Sequence, residues 1–340
     1  MQKRSVPGVS VVMPAYNAAK YIKEAIDSIL AQTYRDFEFI IVNDGSTDNT
    51  KEIILSYSDP RIVYIENEQN SGICVTLNKG LDAAKGRYIV RMDSDDIALP
   101  QRLEVQVRYM DANPDVGVAG SLVERFYDNN ALNHDFPPSE TDFYQCQASL
   151  LFSTCVAHPA TIIRKSILLK YNLKYDDYFR GMEDYHLWWK LSRHTFITNI
   201  PQVLLKYRIH KNQVTQIPLT EEFIHRQKVF ISQRLSDLGI NPSPQDVEAI
   251  LLYEISTSSF DDRTMNTLIQ CLHTILNQIK SNRKYYKAQQ LVAGKAISYS
   301  HDLSVTNLKR SNLYYMWRAY RMSCMPFSWF IKRLYHNFKH

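Results

Sequence analysis

Hydrophobic residues in the first part of the chain follow two spacings that alternate along residues 8–126. Short continuous apolar runs, of the kind that form buried strands, alternate with stretches in which apolar residues return every third or fourth position. The segment from Ile22 to Leu30 has the second spacing, which places its apolar side chains on one face of a helix. This alternation predicts an α/β fold with a mostly parallel central sheet, right-handed crossovers and flanking helices.

Two boundaries in this region follow from individual residues. The predicted strands are Val9–Met13, Phe37–Val42, Arg61–Ile65 and Tyr88–Met92. We expect the first strand to stop at Pro14, because proline has no backbone N–H to donate. Ser46 or Thr47 is the expected N-cap of the helix after the second strand, since a hydroxyl accepts hydrogen bonds from the first N–H groups of a helix.

The pattern becomes less regular from about residue 127 to 215. Strand-like runs occur at Ala160–Arg164 and Val203–Leu205, and a helix begins near Glu183. Beyond about 218 the spacing is helical and indicates no strand. We therefore expect an α/β domain over residues 1–217, with parts at 8–126 and 127–217, followed by a helical region over 218–340.

Polar side chains come directly after the predicted strands. They are Tyr16, Asn17, Asp44, Asn70 and Asp93. In a parallel sheet the carboxyl ends of the strands meet at one edge, where ligands bind. The sequence therefore predicts a nucleotide-type pocket at this edge. Asp44 has an alternative role as a turn residue before Gly45, and Tyr16 as a packed aromatic side chain.

Three carboxylates, Asp93, Asp95 and Asp96, follow the fourth strand within four positions. Such groups repel one another unless a cation or hydrogen bonds hold them. Carboxylate oxygens are the ligands that Mg²⁺ or Mn²⁺ prefers. The alternative is an acidic loop that caps the next helix, but the position at the end of a buried strand favours the metal site.

Two later groups are candidates for acid–base or phosphate chemistry. Glu183 and Asp184 precede an apolar helix, and either carboxylate could deprotonate a hydroxyl. Acidic residues in the first turn of a helix also favour its macrodipole without any catalytic role. His210 is a candidate contact for the metal or for phosphates, although a single histidine is usually structural.

Composition narrows the class of protein and identifies one unusual segment. Hydrophobic residues (45%) and charged residues (22%) have the fractions of a globular protein. Five scattered cysteines without a C-x-x-C pair, and no signal peptide before the first strand, predict a cytoplasmic location. From Leu308 onward, basic and aromatic side chains occur without acidic residues, which fits either a helix on an anionic membrane surface or a docked helix. No nucleic-acid-binding motif accompanies this basic, aromatic segment.

Seven segments in order resemble a known family. They are PAYN at Pro14–Asn17, NDGSTDNT at Asn43–Thr50, NSG at Asn70–Gly72, GRYIVRMDSDDIALPQRL at Gly86–Leu103, HPATIIRKS at His158–Ser166, EDYHLWWKLSR at Glu183–Arg193 and LLKYRIHKNQVT at Leu204–Thr215. Together they resemble glycosyltransferase family 2, the inverting transferases of the GT-A fold, over about residues 8–215.

The resemblance implies a reaction and roles for individual residues. The reaction would be a single displacement at C1 of an α-linked UDP-sugar, giving a β-glycoside and UDP. Pro14, Tyr16 and Asp44 would hold the uridine, in a nucleotide-sugar part over residues 8–126. Asp95 would bind Mn²⁺ or Mg²⁺ directly and Asp93 would serve the nucleotide end. Asp184, beside Glu183, would be the catalytic base in an acceptor part over residues 127–217.

The resemblance also indicates a substrate class. RMDSDD and KYRIHKNQVT are most similar to bacterial enzymes that build lipopolysaccharide or capsule glycans, often with β-1,3 linkages. The expected donor is UDP-GlcNAc, UDP-GalNAc, UDP-Gal or UDP-Glc, and the expected acceptor is a glycan or lipid-linked saccharide. Trp188 and Trp189 offer aromatic surface for an acceptor sugar. His158 and Arg208 are further candidate contacts for acceptor or phosphate.

Two other functions are compatible with an α/β nucleotide pocket. A nucleotidyltransferase that forms nucleotide-sugars would also use a divalent metal, but it would be expected to carry a Gly-rich, basic phosphate loop after the first strand. Residues Pro14–Asn17 offer no such loop. A non-catalytic nucleotide- or sugar-binding module is the second alternative, and it would bind UDP without turning over a donor.

Overall fold

A computed structural model describes residues 6–127, 141–210, 220–255, 271 and 274. Its strands are β1 Val9–Ala15, β2 Phe37–Asn43, β3 Ile62–Glu66, β4 Tyr88–Arg91, β5 Ile97–Ala98, β6 Val116–Tyr127, β7 Ile162–Arg164 and β8 Phe196–Ile209. Its α-helices are α1 Ile22–Leu30, α2 Thr50–Leu55, α3 Ile73–Ala83, α4 Arg102–Ala112, α5 Phe143–Ser149, α6 Lys165–Tyr171, α7 Glu183–Ser192, α8 Glu221–Asp237 and α9 Pro244–Ile255. Short 3₁₀ helices occur at His158–Ala160 and Asp177–Phe179.

The described strands form one eight-stranded sheet in the order β3-β2-β1-β4-β7-β6-β8-β5. β1 is parallel to β2 and β4, β2 to β3, and β6 to β8. β7 is antiparallel to β4 and β6, and β5 is antiparallel to β8. The predicted α/β fold with a mostly parallel sheet is confirmed, with two short antiparallel strands added to it.

The main core lies around β1, which is buried along its whole length. Because both faces of a central parallel strand are covered, its sequence is an almost continuous apolar run. α1 packs Ile22, Ile26 and Ile29 into this core with no exposed surface. Burial of each such side chain contributes about 1.5–3 kcal/mol to folding. This packing fixes the loop between β1 and α1 at the sheet edge.

The prediction that the first strand stops at Pro14 was wrong. β1 continues to Ala15, and Pro14 pairs in register with Val42. The pairing of β1 with β4 ends earlier, at Val12, whose carbonyl accepts the N–H of Met92. The backbone groups of alternate residues point to opposite neighbours, so the missing N–H of Pro14 falls on the side where pairing has already ended.

The predicted N-cap of α2 was also wrong. α2 begins at Thr50, and Ser46 and Thr47 lie in the preceding loop. The Asp48 carboxylate accepts hydrogen bonds from the backbone N–H of Thr50 (3.0 Å) and from its hydroxyl (2.5 Å). Ser46 and Thr47 instead contact the loop after β1, so their hydroxyls serve the sheet edge and not the helix.

The long strand β6 was not predicted, and β8 was predicted only in part. β8 spans Phe196–Ile209, although the sequence indicated only Val203–Leu205. The reason is an irregularity in the pairing of β8 with β6. Ile200 and Val203 pair with consecutive residues of β6, and Pro201 and Gln202 between them are exposed. A bulge of this kind interrupts the alternation on which strand prediction depends.

The described residues divide into two compact units, one within Met1–Cys146 and Thr154–Pro218, the other within Gln147–Ser153 and Leu219–His340. In the second unit, the Thr220 hydroxyl caps α8 by accepting the N–H of Phe223. Arg234 forms a buried ion pair with Glu254 of α9 (2.7 Å). No helix among the described residues is long and apolar enough to cross a membrane. The basic, aromatic segment from Leu308 onward lies outside the described residues.

Candidate active site

The carboxyl ends of β1, β2 and β4 bring the first predicted residues to one edge of the sheet. Tyr16 follows β1 and is 46% exposed, which leaves its ring available to a ligand. Pro14 is buried within β1. Asn17 adopts a positive φ of 47° and joins two loops: its side-chain oxygen accepts the N–H of Thr47 (2.9 Å). The side-chain amide of Asn17 thus holds the loop after β1 against the loop after β2 at this edge of the sheet.

Asp44, at the end of β2, is 4% exposed and organises the loop after β3. One carboxylate oxygen accepts hydrogen bonds from the Asn67 side chain (2.6 Å) and the Ser71 N–H (2.8 Å). The other accepts the N–H of Gly72 (3.0 Å). A carboxylate offers about four acceptor positions, so these three bonds leave room for one more donor.

The loop after β3 borders a cavity of about 420 Å³. It is lined by Glu66, Asn67, Glu68, Gln69, Ser71 and Lys79. Asn67 bridges this cavity to Asp44, because its amide donates to Asp44 while its oxygen accepts the Lys79 ammonium. The Asn70 side chain accepts the N–H of Gly72 (3.0 Å), so it shapes the same loop.

The acidic run lies after β4, and carboxylate oxygens of Asp93, Asp95 and Asp96 all lie within 4.8 Å of one another. Asp93 forms an ion pair with Arg91. Asp95 lies 2.9 Å from His210 Nε2, which β8 positions. One oxygen of Asp96 accepts the N–H of Arg208 (2.9 Å). Arg208 on β8 and His210 directly after it therefore contact two of the three carboxylates.

The run fits a hard divalent cation on the chemistry of its oxygens. Asp96 is 1% exposed, and its Oδ2 has no hydrogen-bond partner among the described residues. Burial and then the charges of Asp93 and Asp95 raise the pKa of Asp96 well above its usual value. A divalent metal ion would stabilise a buried carboxylate in this situation, because clustered oxygens are the ligands that such ions prefer.

α7 begins with the two predicted base candidates. Glu183 Oε2 accepts the N–H of Gly181 (2.6 Å), which fixes the start of the helix. Burial, followed by the charge of Glu183, raises the pKa of Asp184 to about 6. Glu183 also acts on the acidic run, because its charge contributes to raising the pKa of Asp93. The start of α7 therefore lies close enough to the acidic run for the charges of Glu183 and Asp93 to interact.

Four predicted contacts do not fit the structure. Trp188 and Trp189 are 0% and 1% exposed, so neither indole can stack on an acceptor sugar. The His158 ring is buried against Trp188 and lies 2.7 Å from the Tyr175 hydroxyl. Burial also lowers the pKa of His158 well below its usual value, so the ring is neutral and unsuited to a phosphate.

The fourth predicted contact that does not fit the structure is that of Arg208 with phosphate. Its guanidinium donates to the Asp95 carbonyl (2.7 Å) and to Glu24 of α1 (2.7 Å). It also lies over the rings of Tyr21 and Phe126. Arg208 is therefore a clamp that joins β8, α1 and the acidic run.

The sequence did not identify two groups that shape the site. Asn67 is one, because the sequence does not show which groups the side chain of an Asn directly after a strand will bond to. Arg91 is the other, a 6% exposed arginine at the last position of β4. A charge inside an otherwise apolar strand is a signal that could have found it.

Comparison with known proteins identifies the family. The model of "Glycosyl transferase family 2" matches residues 10–171. An uncharacterized glycosyltransferase of Haemophilus influenzae is 31% identical in an alignment 310 residues long that covers 83% of this chain and 96% of that protein. The chain belongs to glycosyltransferase family 2. It is therefore a glycosyltransferase, an enzyme class that the geometry of the acidic run and α7 suits.

Other relatives and solved structures agree with this glycosyltransferase assignment. The Escherichia coli protein WfgD, named as a UDP-Glc:α-D-GlcNAc-diphosphoundecaprenol β-1,3-glucosyltransferase, is 31% identical over 61% of this chain and 79% of its own length. Staphylococcus aureus TarS 1–349, solved with UDP-GlcNAc, has a TM-score of 0.59 at 19% identity, over 90% of this chain and 91% of that chain. The fold is thus the GT-A fold, whose enzymes are generally dependent on a divalent metal.

Proposed function

We propose that the protein transfers a hexosyl or N-acetylhexosaminyl residue from a UDP-sugar to a hydroxyl of a bacterial surface glycan, with inversion. The observation that carries the proposal is the convergence of Asp184 and the acidic run Asp93–Asp96 at the carboxyl end of β4. A base and a diphosphate site must stand on opposite sides of one anomeric carbon in such a reaction.

The donor nucleotide is assigned to the edge formed by β1 and β2. Tyr16 is exposed for stacking on a base, and Asp44 retains acceptor capacity for a base N–H or ribose hydroxyl. The adjacent cavity of about 420 Å³ lies within the range of small-molecule sites. Asp95 and His210, with Asp93 and Asp96, surround the diphosphate position.

The transfer is a single displacement. Asp184 takes the proton of the acceptor hydroxyl while the oxygen of that hydroxyl forms a bond to C1. At the same time the bond from C1 to the phosphate oxygen breaks and UDP is released. A divalent cation at the acidic run, Mn²⁺ or Mg²⁺, would neutralise the charge that develops on the diphosphate. Inversion converts an α-linked donor into a β-glycoside.

The acceptor is proposed from the relatives. WfgD is named for a diphosphoundecaprenol-linked acceptor and a β-1,3 linkage. We extend that class to this chain, with a lipid-linked saccharide of lipopolysaccharide or capsule assembly as acceptor and β-1,3 as the linkage. Such a substrate lies in the cell membrane, so we propose that the enzyme works at the cytoplasmic face of that membrane.

A donor screen tests the proposed reaction. The protein is incubated with Mn²⁺ and each common nucleotide-sugar, with and without lipid-linked saccharides, and released nucleotide is measured. We expect UDP release from one UDP-sugar, stimulated by an acceptor. Pyrophosphate formation from UTP and a sugar phosphate would show a nucleotidyltransferase instead. UDP binding without turnover of any donor would show a binding module, and activity that survives EDTA would contradict the metal-dependent mechanism.

A vesicle assay tests the membrane association separately. The full chain and a variant ending at residue 307 are sedimented with anionic and with neutral vesicles. We expect only the full chain to bind anionic vesicles, and binding should weaken as salt is raised, because seven cationic side chains are lost in the shorter variant. Equal partition of both variants would reject the membrane role of the C-terminal segment.

A further inference from the structure

Arg91 is a buried cation whose hydrogen-bonding capacity is only partly used by the residues that the structure describes. It ends β4 and is 6% exposed. Its Nη1 is ion-paired with Asp93, but its buried Nε has no hydrogen-bond partner among the described residues. An arginine has five N–H donors, and leaving them unmade in a buried place is costly.

A second buried arginine shows what a purely structural role looks like. Arg102, on α4, has no exposed surface, and its guanidinium donates to the carbonyls of Arg91 (2.6 Å) and Pro159 (2.7 Å). It holds the backbone of β4 against the segment before β7. The guanidinium of Arg91 makes no comparable backbone contact among the described residues.

Arg91 lies between the acidic run and the start of α7, which carries Asp184. On one side it pairs with Asp93 of the acidic run. On the other, its backbone N–H donates to the carbonyl of Thr161 (3.1 Å), close to His158, whose ring packs against Trp188 of α7. The positive charge of Arg91 also lowers the pKa of Asp184 against the larger effect of burial. Arg91 therefore lies near both the acidic run and the helix that begins with Glu183 and Asp184.

If the proposed reaction is correct, the transferred sugar must occupy the space between the acidic run and Asp184. The diphosphate belongs at the acidic run and the acceptor hydroxyl at Asp184, so the pyranose of the donor must lie between them. Reacting atoms must come within about 3–3.5 Å and the base within hydrogen-bond reach. The transferred sugar is therefore held against the end of β4, where Arg91 is the available donor.

We propose that the Arg91 guanidinium binds the transferred sugar of the donor, by donating hydrogen bonds to its ring hydroxyl or acetamide oxygens, and so helps to select that sugar. The inference rests on the proposed function, since it assumes a UDP-sugar at the site. The chemistry fits, because a rigid fork of N–H donors matches neighbouring oxygens on a sugar. The ion pair with Asp93 keeps the fork oriented.

The test compares binding of UDP with binding of the UDP-sugar. Arg91→Lys and Arg91→Met are titrated with each ligand at saturating Mn²⁺, and Arg87→Lys serves as the control. Arg87 comes just before β4, its side chain is 59% exposed and it pairs with Asp111. Arg87→Lys therefore makes the same kind of substitution next to the same strand and keeps the positive charge, without touching the site. We expect the variants at position 91 to bind UDP as the wild type does, and the UDP-sugar about 10- to 100-fold more weakly, the loss expected for hydrogen bonds to a charged group.

Two results would overturn the inference: unchanged affinity for the UDP-sugar, or an equal loss for UDP and the UDP-sugar, which would indicate a structural or metal-site role. If neither variant folds, donors lacking single ring hydroxyls or the acetamide are tested on the wild type. A loss of about tenfold at one position supports the inference, and no loss at any position rejects it. Failure of the proposed function would look different, because the wild type would then bind no UDP-sugar.

Discussion

At the scale of single residues, the site combines groups that the sequence could locate with groups that it could not. Asp44, Asp93 and Asp184 could be named as candidates because strand ends and helix starts are visible in the hydrophobic pattern. Their bonding partners were not visible, because the bond from Asn67 to Asp44 joins residues 23 positions apart. Trp188 was misassigned for a related reason, since helical spacing does not tell a core aromatic from an exposed one.

The raised pKa of Asp184 predicts the pH dependence of the reaction. The base must be ionised, so kcat/KM should fall as the pH drops through about 6, and it should level off above that value. The same shift acts on stability with a defined sign. The folded state retains a proton that the unfolded state has released between about pH 4 and 6, so this carboxyl contributes less stability as the pH rises across that range.

Asp184→Asn tests the same residue directly. We expect turnover to fall by about 10²- to 10⁴-fold with little change in the affinity for UDP, because the base does not touch the nucleotide. Glu183→Gln is the matched control: it keeps the helix start and should lose less activity. A variant Asp184→Asn with full turnover would reject the assignment of the base.

Asn67 is expected to act on the donor through Asp44. In Asn67→Ala, Asp44 loses its shortest hydrogen bond and the Lys79 ammonium loses its acceptor. We expect the affinity for UDP to weaken by about tenfold while kcat changes little, since one buried hydrogen bond is worth about 1–3 kcal/mol when its partner is left unpaired. Glu52→Gln, at an exposed position of α2, is the control, and titration calorimetry with UDP is the measurement.

At the scale of elements, the accuracy of prediction followed the regularity of each element. α1 and β2 have clear periodicity and were located almost to the residue. β8 was mostly missed, because its bulge at Pro201 and Gln202 breaks the alternation. The loop after β3 could not be predicted in detail, since its shape depends on a backbone conformation at Gly72 and on its bonds to Asp44.

Gly72 should be the most sensitive position of that loop. Its φ is +90°, and a Cβ there would lie 2.6 Å from Arg180 Nη2. We expect Gly72→Ala to destabilise the fold and to weaken UDP binding, because the loop carries an N–H that bonds to Asp44. Thermal unfolding and UDP titration measure the two effects.

Two further variants separate backbone strain from steric contact at Gly72. Gly239 has a similar φ of +78° with no atom within 4 Å of its Cβ position, so Gly239→Ala reports the cost of the conformation, about 1–2 kcal/mol. The double variant Gly72→Ala with Arg180→Ala removes the steric contact. We expect it to recover stability only to the level of the Gly239 variant, and full recovery would show that φ is not the cause.

At the scale of the whole molecule, the first unit is the part that the sequence described well. The alternation of strands and helices and the ordered motifs specify a GT-A sheet and its active edge. The strand β7 was predicted at Ala160–Arg164, but long-range features were not, among them the antiparallel pairing of β7 and of β5. Arg208 is the clearest case, because its contact with Asp96 joins positions 112 apart in the chain.

A metal at the acidic run should stabilise the whole first unit. Ligands that bind only the folded state raise its stability by mass action, about 2.7 kcal/mol at a hundredfold excess over Kd. We expect Mn²⁺ to raise the unfolding temperature of the wild type by several degrees and EDTA to reverse the change. Asp95→Ala should abolish the shift, whereas Asp115→Ala, an exposed position before β6, should keep it. A shift that persists in Asp95→Ala would place the metal elsewhere.

The clamp formed by Arg208 has a consequence for how the protein is made. The acidic run leaves the ribosome early, but its partners on β8 follow more than a hundred residues later. Until they emerge, the run is an unsupported cluster of negative charge at the end of β4. The contacts that hold the run can therefore form only after residue 210 has been synthesised, and we expect a chain truncated before residue 208 to lack them.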